Sequence, residues 1–197
     1  MNSGEIELRH ATAIDAVWNM LIDVYAEVRS DRLHEPHYSV ERYGERLARH
    51  ASEPGWEAVI GFHGTEPIGY AYLNTLQPDD RWWRRMTTPL PAGCTDIPTV
   101  AVKEIMLRTP WRGIGAARRI HDELLAARPE EQATLLVNPL AGDGKVKALY
   151  EAWGYREISV QQPSVDGPVL TAMLRRIREP SSTEGSHVSG QQDLLLP

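Results

Sequence analysis

The chain is predicted to fold as a single α/β domain around a mixed sheet, and three observations carry that expectation. Segments with strand-like apolar patterning alternate with segments of helical periodicity along most of its length. The apolar run from Glu104 to Leu107 leads into the basic, glycine-bearing turn Arg112-Gly113-Ile114-Gly115 and then into a helical stretch. At 197 residues, 42% of them apolar, the chain can bury one real core and has no room for a second full domain.

Residues 5–12 read as the first strand. Ile14, Val17, Trp18, Leu21, Val24, Tyr25 and Val28 then recur at the spacing of one helix face. Ser39 is placed to cap a second helix over 40–51, which the Pro54-Gly55 pair ends. Residues 56–63 and 67–76 pattern as two strands joined by the turn Gly64-Thr65-Glu66-Pro67. Periodicity fails over 79–98, a proline-rich insert carrying Arg81-Trp82-Trp83-Arg84-Arg85, which reads as a loop or lid. It resumes in a strand over 99–108, a helix from about Gly113 to Arg128, a strand over 133–138, a helix over 143–153, and strands near 156–161 and 168–176. From Glu179 onward Ser, Gly, Gln and Thr dominate. Too few apolar residues remain there to offset the entropy of ordering, so a domain over 1–178 is expected to be followed by a flexible tail over 179–197.

Composition narrows the function. The single cysteine, Cys94, cannot form an internal disulfide, and Glu5, Glu7 and Arg9 stand where a signal peptide needs an apolar run, so a cytoplasmic protein is expected. No stretch approaches the roughly 18 apolar residues that cross a bilayer, and a formal net charge of −6 argues against nonspecific nucleic-acid binding. Neither a membrane nor a nucleic-acid partner is expected. The acidic balance suits a cationic amine acceptor, although mild acidity also serves solubility alone. His34, His37 and Tyr38, between the first two helices, have too few companion ligands for a metal centre, and no metal is expected.

The strand–turn–helix junction is the most informative segment. Gly113 and Gly115 allow close approach of a ligand to the backbone, and the first-turn amides of the following helix lack intrahelical partners and point toward an anion. Arg112 adds a charged donor. Two nucleotide motifs are excluded: Arg118 occupies the last glycine position of a G-x-G-x-x-G begun at Gly113, and Gly144-Lys145 is followed by Val146, with Pro139 at the first glycine position of a P-loop.

What remains resembles the GNAT superfamily of acyl-CoA-dependent N-acyltransferases. Its pyrophosphate loop, Q/R-x-x-G-x-G/A, is met by Arg112, Gly115 and Ala117, and its second signature appears as Leu149-Tyr150-Glu151-Ala152-Trp153-Gly154-Tyr155. The resemblance covers about residues 5–177 and is strongest over 104–155. It implies the GNAT fold, a mixed, mostly antiparallel central sheet flanked by helices. It also implies an acetyl-CoA-dependent N-acetyltransferase in which a primary amine, on a small molecule or a peptide, attacks directly in a ternary complex. A noncatalytic acyl-CoA-binding sensor or regulatory module is the alternative from another class. Homodimers are common among proteins of this resemblance.

Residue roles follow from the same resemblance. The main chain of Arg112, Gly113, Ile114, Gly115, Ala116 and Ala117 would grip the coenzyme A pyrophosphate, and that of Ile105, Met106 and Leu107 would pair with the pantetheine arm. Tyr150 matches the tyrosine that protonates the departing thiolate, although its place in the stripe Val146, Leu149, Tyr150, Trp153 equally suits packing. Glu104 aligns with a position that often supplies the base, and burial in an apolar strand would raise its pKa. Pairing with an arginine, or exposure at a strand end, accounts for it equally well. Asp143 stands where the family usually has Asn. It can cap the helix and accept a hydrogen bond to the coenzyme but not donate one. Trp82 and Trp83 could stack on an acceptor or on adenine, or pack the insert onto the body.

Overall fold

The computed structural model describes residues 6–165 and 167–178; the expected tail over 179–197 lies outside the described residues. Strands β1 (Ile6–Ala11), β2 (Glu57–His63), β3 (Glu66–Leu76), β4 (Thr99–Leu107), β5 (Gln132–Val137), β6 (Arg156–Gln161) and β7 (Leu170–Arg176) form one sheet in the order β1-β2-β3-β4-β5-β7-β6. Only β4 and β5 run parallel, joined by a crossover through a helix; the other neighbours are antiparallel. The helices are α1 (Trp18–Val28), α2 (Val40–Ala51), the single turn α3 (Arg81–Arg84), α4 (Ala116–Ala126) and α5 (Lys145–Ala152).

Each face of the sheet has its own apolar layer. Helices α1 and α2 bury Leu21, Val24, Tyr25, Tyr43 and Leu47 against Ile60, Tyr70 and Tyr72. Tyr25 and Tyr43 stack with centroids 3.8 Å apart, and the Tyr43 and Tyr70 hydroxyls share a 2.6 Å hydrogen bond that satisfies both buried oxygens. The opposite face carries α4, whose Ile120 and Leu124 pack on Val59, Leu73 and Val100, and α5, whose Val146 and Tyr150 join that layer.

Most helix starts follow local chemistry. The Ser39 hydroxyl accepts from the Arg42 N–H, as a cap should. The expected first helix is divided: a 3₁₀ turn spans Ile14–Ala16, and α1 starts at Trp18 after Val17, which offers no capping oxygen. Helix α4 starts at Ala116 and not at Gly113, because Gly113 and Gly115 adopt φ of 77° and 83°, which a right-handed helix cannot contain.

The 79–98 insert is fastened to the body instead of standing free. The Asp80 carboxylate caps α3 by accepting from the Trp82 N–H at 2.8 Å, and Trp83 is buried against Leu76 and Ala101. The Thr87 N–H donates to the Val160 carbonyl, Thr88 bonds to Ser159, and the Cys94 carbonyl accepts from Gln132.

The end of α5 accounts for the Gly-aromatic pair in the second signature. The Gly154 N–H donates to the Glu151 carbonyl and the Tyr155 N–H to the Tyr150 carbonyl, which closes the helix through a left-handed residue, and Tyr155 then enters the core. Gly154 has φ of 90°, and a Cβ there would meet no atom within 4 Å, so backbone conformation alone demands glycine. Gly154→Ala is expected to cost roughly 1–2 kcal/mol, lowering Tm by roughly 2–8 °C in a calorimetric scan; an unchanged Tm would contradict the left-handed closure.

Candidate active site

The site is organised by a separation of two strands. β4 pairs with β5 only from Thr99 to Val102, yet β4 continues to Leu107 and β5 to Val137, so their far halves diverge. The Arg108 N–H donates to the Ile68 carbonyl of the β3 side. By antiparallel alternation Met106 and Glu104 also turn their main-chain groups toward β3, and Ile105 and Leu107 turn theirs toward the gap. Met106 thereby departs from the expectation for the three-residue run: its N–H and C=O are directed at β3 and not into the opening. The Leu107 carbonyl accepts from Arg112 Nε at 3.2 Å, so Arg112 braces the strand end as well as carrying charge into the turn.

Past Arg112 the chain makes the glycine turn and enters α4 with no side chain capping its first amides. Those amides and the positive end of the helix dipole face outward, an arrangement suited to an anion. A Cβ at Gly113 or Gly115 would touch no atom within 4 Å, so positive φ is what selects glycine. Ala116 is buried and Ala117 packs on the core, anchoring the turn, whereas Ile114 is exposed.

Tyr150 stands on the last turn of α5, edge-on to Trp153 at 5.4 Å and to Tyr155 at 5.9 Å. Burial first, and then the Glu104 charge, hold its phenol above the ordinary tyrosine value, so it stays protonated at neutral pH. Tyr155 and Trp153 rest in turn on His121. The His121 Nε2 and the Tyr155 hydroxyl are 2.9 Å apart, and burial depresses the imidazole to about 4, so it is neutral. Asp143 differs from its expected capping role. It is exposed at φ of 54° between Gly142 and Gly144, both also of positive φ, and the N-cap position belongs to Gly144. This left-handed run delays α5 to Lys145.

Glu104 approaches from the other face of the sheet. A bulge sets Glu104 opposite Tyr72 and Val102 opposite Leu73, so Lys103 is the extra residue, and both Lys103 and Glu104 line a cavity of about 460 Å³. Burial raises the Glu104 carboxyl above the ordinary carboxylate range, against the opposing pull of Arg46 and then Arg29. Arg46 lies 3.7 Å from it. Burial with a raised pKa and pairing with an arginine both describe this residue in part: it is largely but not fully buried, its pKa is raised, and it faces Arg46, whereas exposure at a strand end does not describe it.

The cavity also recruits residues that the sequence did not single out for a site, notably Arg29, Arg46 and Arg49. His37 and Tyr38 line it as well. The two tryptophans of the insert divide their roles: Trp82 lines the cavity with the Lys103 ammonium 4.7 Å from its ring centroid, and Trp83 is core. Seven cationic side chains face four carboxylates around the wall, so the local charge is opposite to that of the whole chain. That does not fit the expectation of a cationic acceptor drawn from net charge.

No family sequence model matches the chain, and no curated protein does either. Solved structures do. An acetyltransferase from Thermus thermophilus superposes with a TM-score of 0.59 at 20% identity, covering 90% of this chain and 100% of that one. A GNAT superfamily phosphinothricin acetyltransferase from Sinorhizobium meliloti, solved in complex with AcCoA, gives 0.59 at 17% identity over 93% and 94%. A ribosomal-protein-alanine N-acetyltransferase from Brucella melitensis gives 0.57 at 18% over 87% and 99%. What is shared at these identities is architecture: the chain has the GNAT fold.

Because Arg46 is the strongest influence holding the Glu104 pKa down, removing its charge must raise that pKa further. Arg46→Met is expected to move the Glu104 carboxyl midpoint upward in a carbon-detected NMR titration; a downward or absent shift would mean that the two groups are not coupled.

Proposed function

We propose that the protein is an acetyl-CoA-dependent N-acetyltransferase acting on a primary amine. The observation that carries this reading is the convergence, at one strand separation, of an open β4 edge, an uncapped glycine turn, a protonated tyrosine and a largely buried carboxylate. The residues fit the coenzyme: turn amides for a pyrophosphate, and the main chain of Ile105 and Leu107 for an amide-bearing arm. Acetyl-CoA supplies the thioester.

Gly113 to Ala117 hold the diphosphate, and the β4 edge directs the acyl carbonyl toward its free amides, which stabilise negative charge developing on that oxygen. Glu104 takes a proton from the ammonium of the acceptor, directly or through one water, so that a neutral amine attacks. As the C–N bond forms and the C–S bond breaks, Tyr150 donates its proton to the departing sulfur; the acylated nitrogen then sheds its extra proton, which through water restores the phenol, and the proton held by Glu104 passes to solvent. The magnitudes limit Tyr150. A thiol near pKa 8.5 is a stronger acid than an ordinary tyrosine near 10, so full transfer runs uphill by about 2 kcal/mol, and the elevated pKa of Tyr150 adds to that. Its contribution belongs at the low end of the ~10²–10⁴-fold range for general acids.

The reading is tested by free-thiol release from acetyl-CoA across small amines, amino acids and peptides, with coenzyme affinity measured by calorimetry. A sensor would bind coenzyme A with no amine-stimulated thiol release; failure to bind it at all ends both readings. Gly115→Val, which forces a β-branched residue to positive φ at the turn, is expected to weaken coenzyme A binding at least ~10-fold, and unaltered affinity would move the binding site elsewhere.

Tyr150→Phe is expected to lower kcat by ~10²-fold with little change in coenzyme affinity. Glu104→Gln bears on pH. A carboxylate base works only when ionised, so activity falls as pH drops through its raised pKa. The wild-type kcat/KM should show that ionisation in addition to that of the amine, and the variant only the latter. A stably folded Tyr150→Phe enzyme with full kcat, or identical pH profiles for Glu104→Gln and wild type, would remove the corresponding residue from the mechanism.

A further inference from the structure

The cavity on the α1–α2 face carries more positive charge than its own carboxylates offset. Three of its cations are matched: Arg42 with Glu45 at 3.3 Å, Arg46 with Glu104 at 3.7 Å, and Lys103 with Glu53 at 3.0 Å. Arg29, Arg49, Arg81 and Arg85 also line it, and none of them makes an ion pair among the described residues. The remaining lining carboxylate, Asp80, accepts from the Trp82 main-chain N–H. Arg49 comes from α2, whereas Arg81 and Arg85 come from α3 and its C-cap, so helix and insert each contribute to one positive wall.

This cluster is not a by-product of a basic protein, since the chain carries a formal net charge of −6. Nor is it costless to assemble, because unpaired like charges brought together oppose folding. The Arg85 guanidinium is held below its ordinary pKa, first by burial and then by Arg81 and Arg49, so these charges do act on one another. Two buried donors in the cavity have no acceptor among the described residues, Nε of the same Arg29 and Nε1 of Trp82. Neither group can accept a hydrogen bond. An occupant bearing several acceptor oxygens and negative charge answers all of these features; a neutral or purely cationic amine answers none.

We propose that the acceptor is an amine bearing a separate anionic group, a carboxylate or a phosphonate or phosphate, and that Arg49, Arg81 and Arg85 bind that group while Glu104 receives the amine end. The inference rests on the acetyltransferase reading and narrows it to a substrate class. The 79–98 insert thereby acquires a role as the element that sets acceptor charge. The positive wall lies on the α1–α2 side of the sheet and the glycine turn leads into α4 on the opposite side, so the two anion-binding features serve different partners.

The test uses pairs of primary amines matched in size: amino acids against their carboxamides, and aminoalkylphosphonates against the corresponding amino alcohols. Thiol release from acetyl-CoA and calorimetric binding to the coenzyme A-loaded protein are measured for each. The anionic member of at least one pair is expected to show a KM or Kd at least ~10-fold lower than its neutral partner, with the advantage shrinking as salt is raised. The carboxylate and phosphonate arms show which anion is preferred. Arg49 and Arg81 are exposed, so the double variant Arg49→Gln/Arg81→Gln should fold normally. It is expected to bring the anionic-to-neutral ratio toward one while coenzyme A affinity stays unchanged. Equal or better use of the neutral amines, an unaltered ratio in the double variant, or no binding or turnover of any anionic amine by protein that binds coenzyme A would overturn the proposal and leave the transferase reading standing. Loss of coenzyme affinity in the double variant would reassign these arginines to the coenzyme and overturn it too. Absence of coenzyme binding by the wild-type protein sinks both readings together.

Discussion

One extra residue in β4 sets the geometry on which the proposed chemistry depends. With uninterrupted alternation, Glu104 would share a face with Val102 and lie in the apolar layer beneath α4. The bulge at Lys103 lets two successive residues turn the same way, so Lys103 and Glu104 both enter the cavity on the α1–α2 side. The same stretch is where β4 leaves β5, because Val102 is the last residue in register with that strand. Re-aiming a carboxylate and opening a strand edge are thus two outcomes of one local irregularity. The cost is lost pairing between β4 and β5, and the gain is a gap between strands in an otherwise continuous sheet.

Electrostatics then divides labour across that gap. Glu104 is held between burial, which favours its neutral form, and two arginines, which favour its charge. Its negative charge in turn helps keep Tyr150 protonated. Glu104 thus acts on Tyr150 across the sheet, from the opposite face. In the proposed mechanism, an ionised base that helps hold its partner acid protonated lets both take the required form at one pH. Beyond Glu104 the wall of the cavity becomes strongly cationic, a balance built from the end of α1, from α2, from the insert and from β4, and opposite in sign to the net charge of the chain.

Much of the fold could be read directly from the sequence because its signals are local. The Ser39 cap, the hairpin at Gly64-Thr65 and the closure of α5 at Gly154 each depend on a few consecutive residues and on φ or hydrogen-bond rules that hold in any context. The places where expectation and structure part have local causes too, but ones that no periodicity reports. Successive positive φ values at Gly113 and Gly115, and again from Gly142 to Gly144, shorten the starts of α4 and α5 and leave Asp143 outside the helix it was expected to cap. The insert offered no periodic pattern, and its attachment through Trp83, Thr87 and Thr88 depends on partners more than seventy positions later in the chain as well as on nearby β3 and β4.

Outside the 79–98 insert, sequence alone determined the order of strands and main helices, the anion-suited turn at 112–117 and the tyrosine at the end of α5, since each is encoded by contiguous residues whose backbone preferences act without tertiary help. Only the tertiary structure decided what surrounds Glu104. Arg29, Arg46, Arg49, Arg81 and Arg85 are scattered over more than fifty positions and read individually as ordinary surface charges. They become one cavity wall because a bulge, two packed helices and a fastened insert bring them to the same side of the sheet. Charge summed along a chain carries no information about charge gathered at a point, and for that reason an acidic composition conceals a cationic cavity.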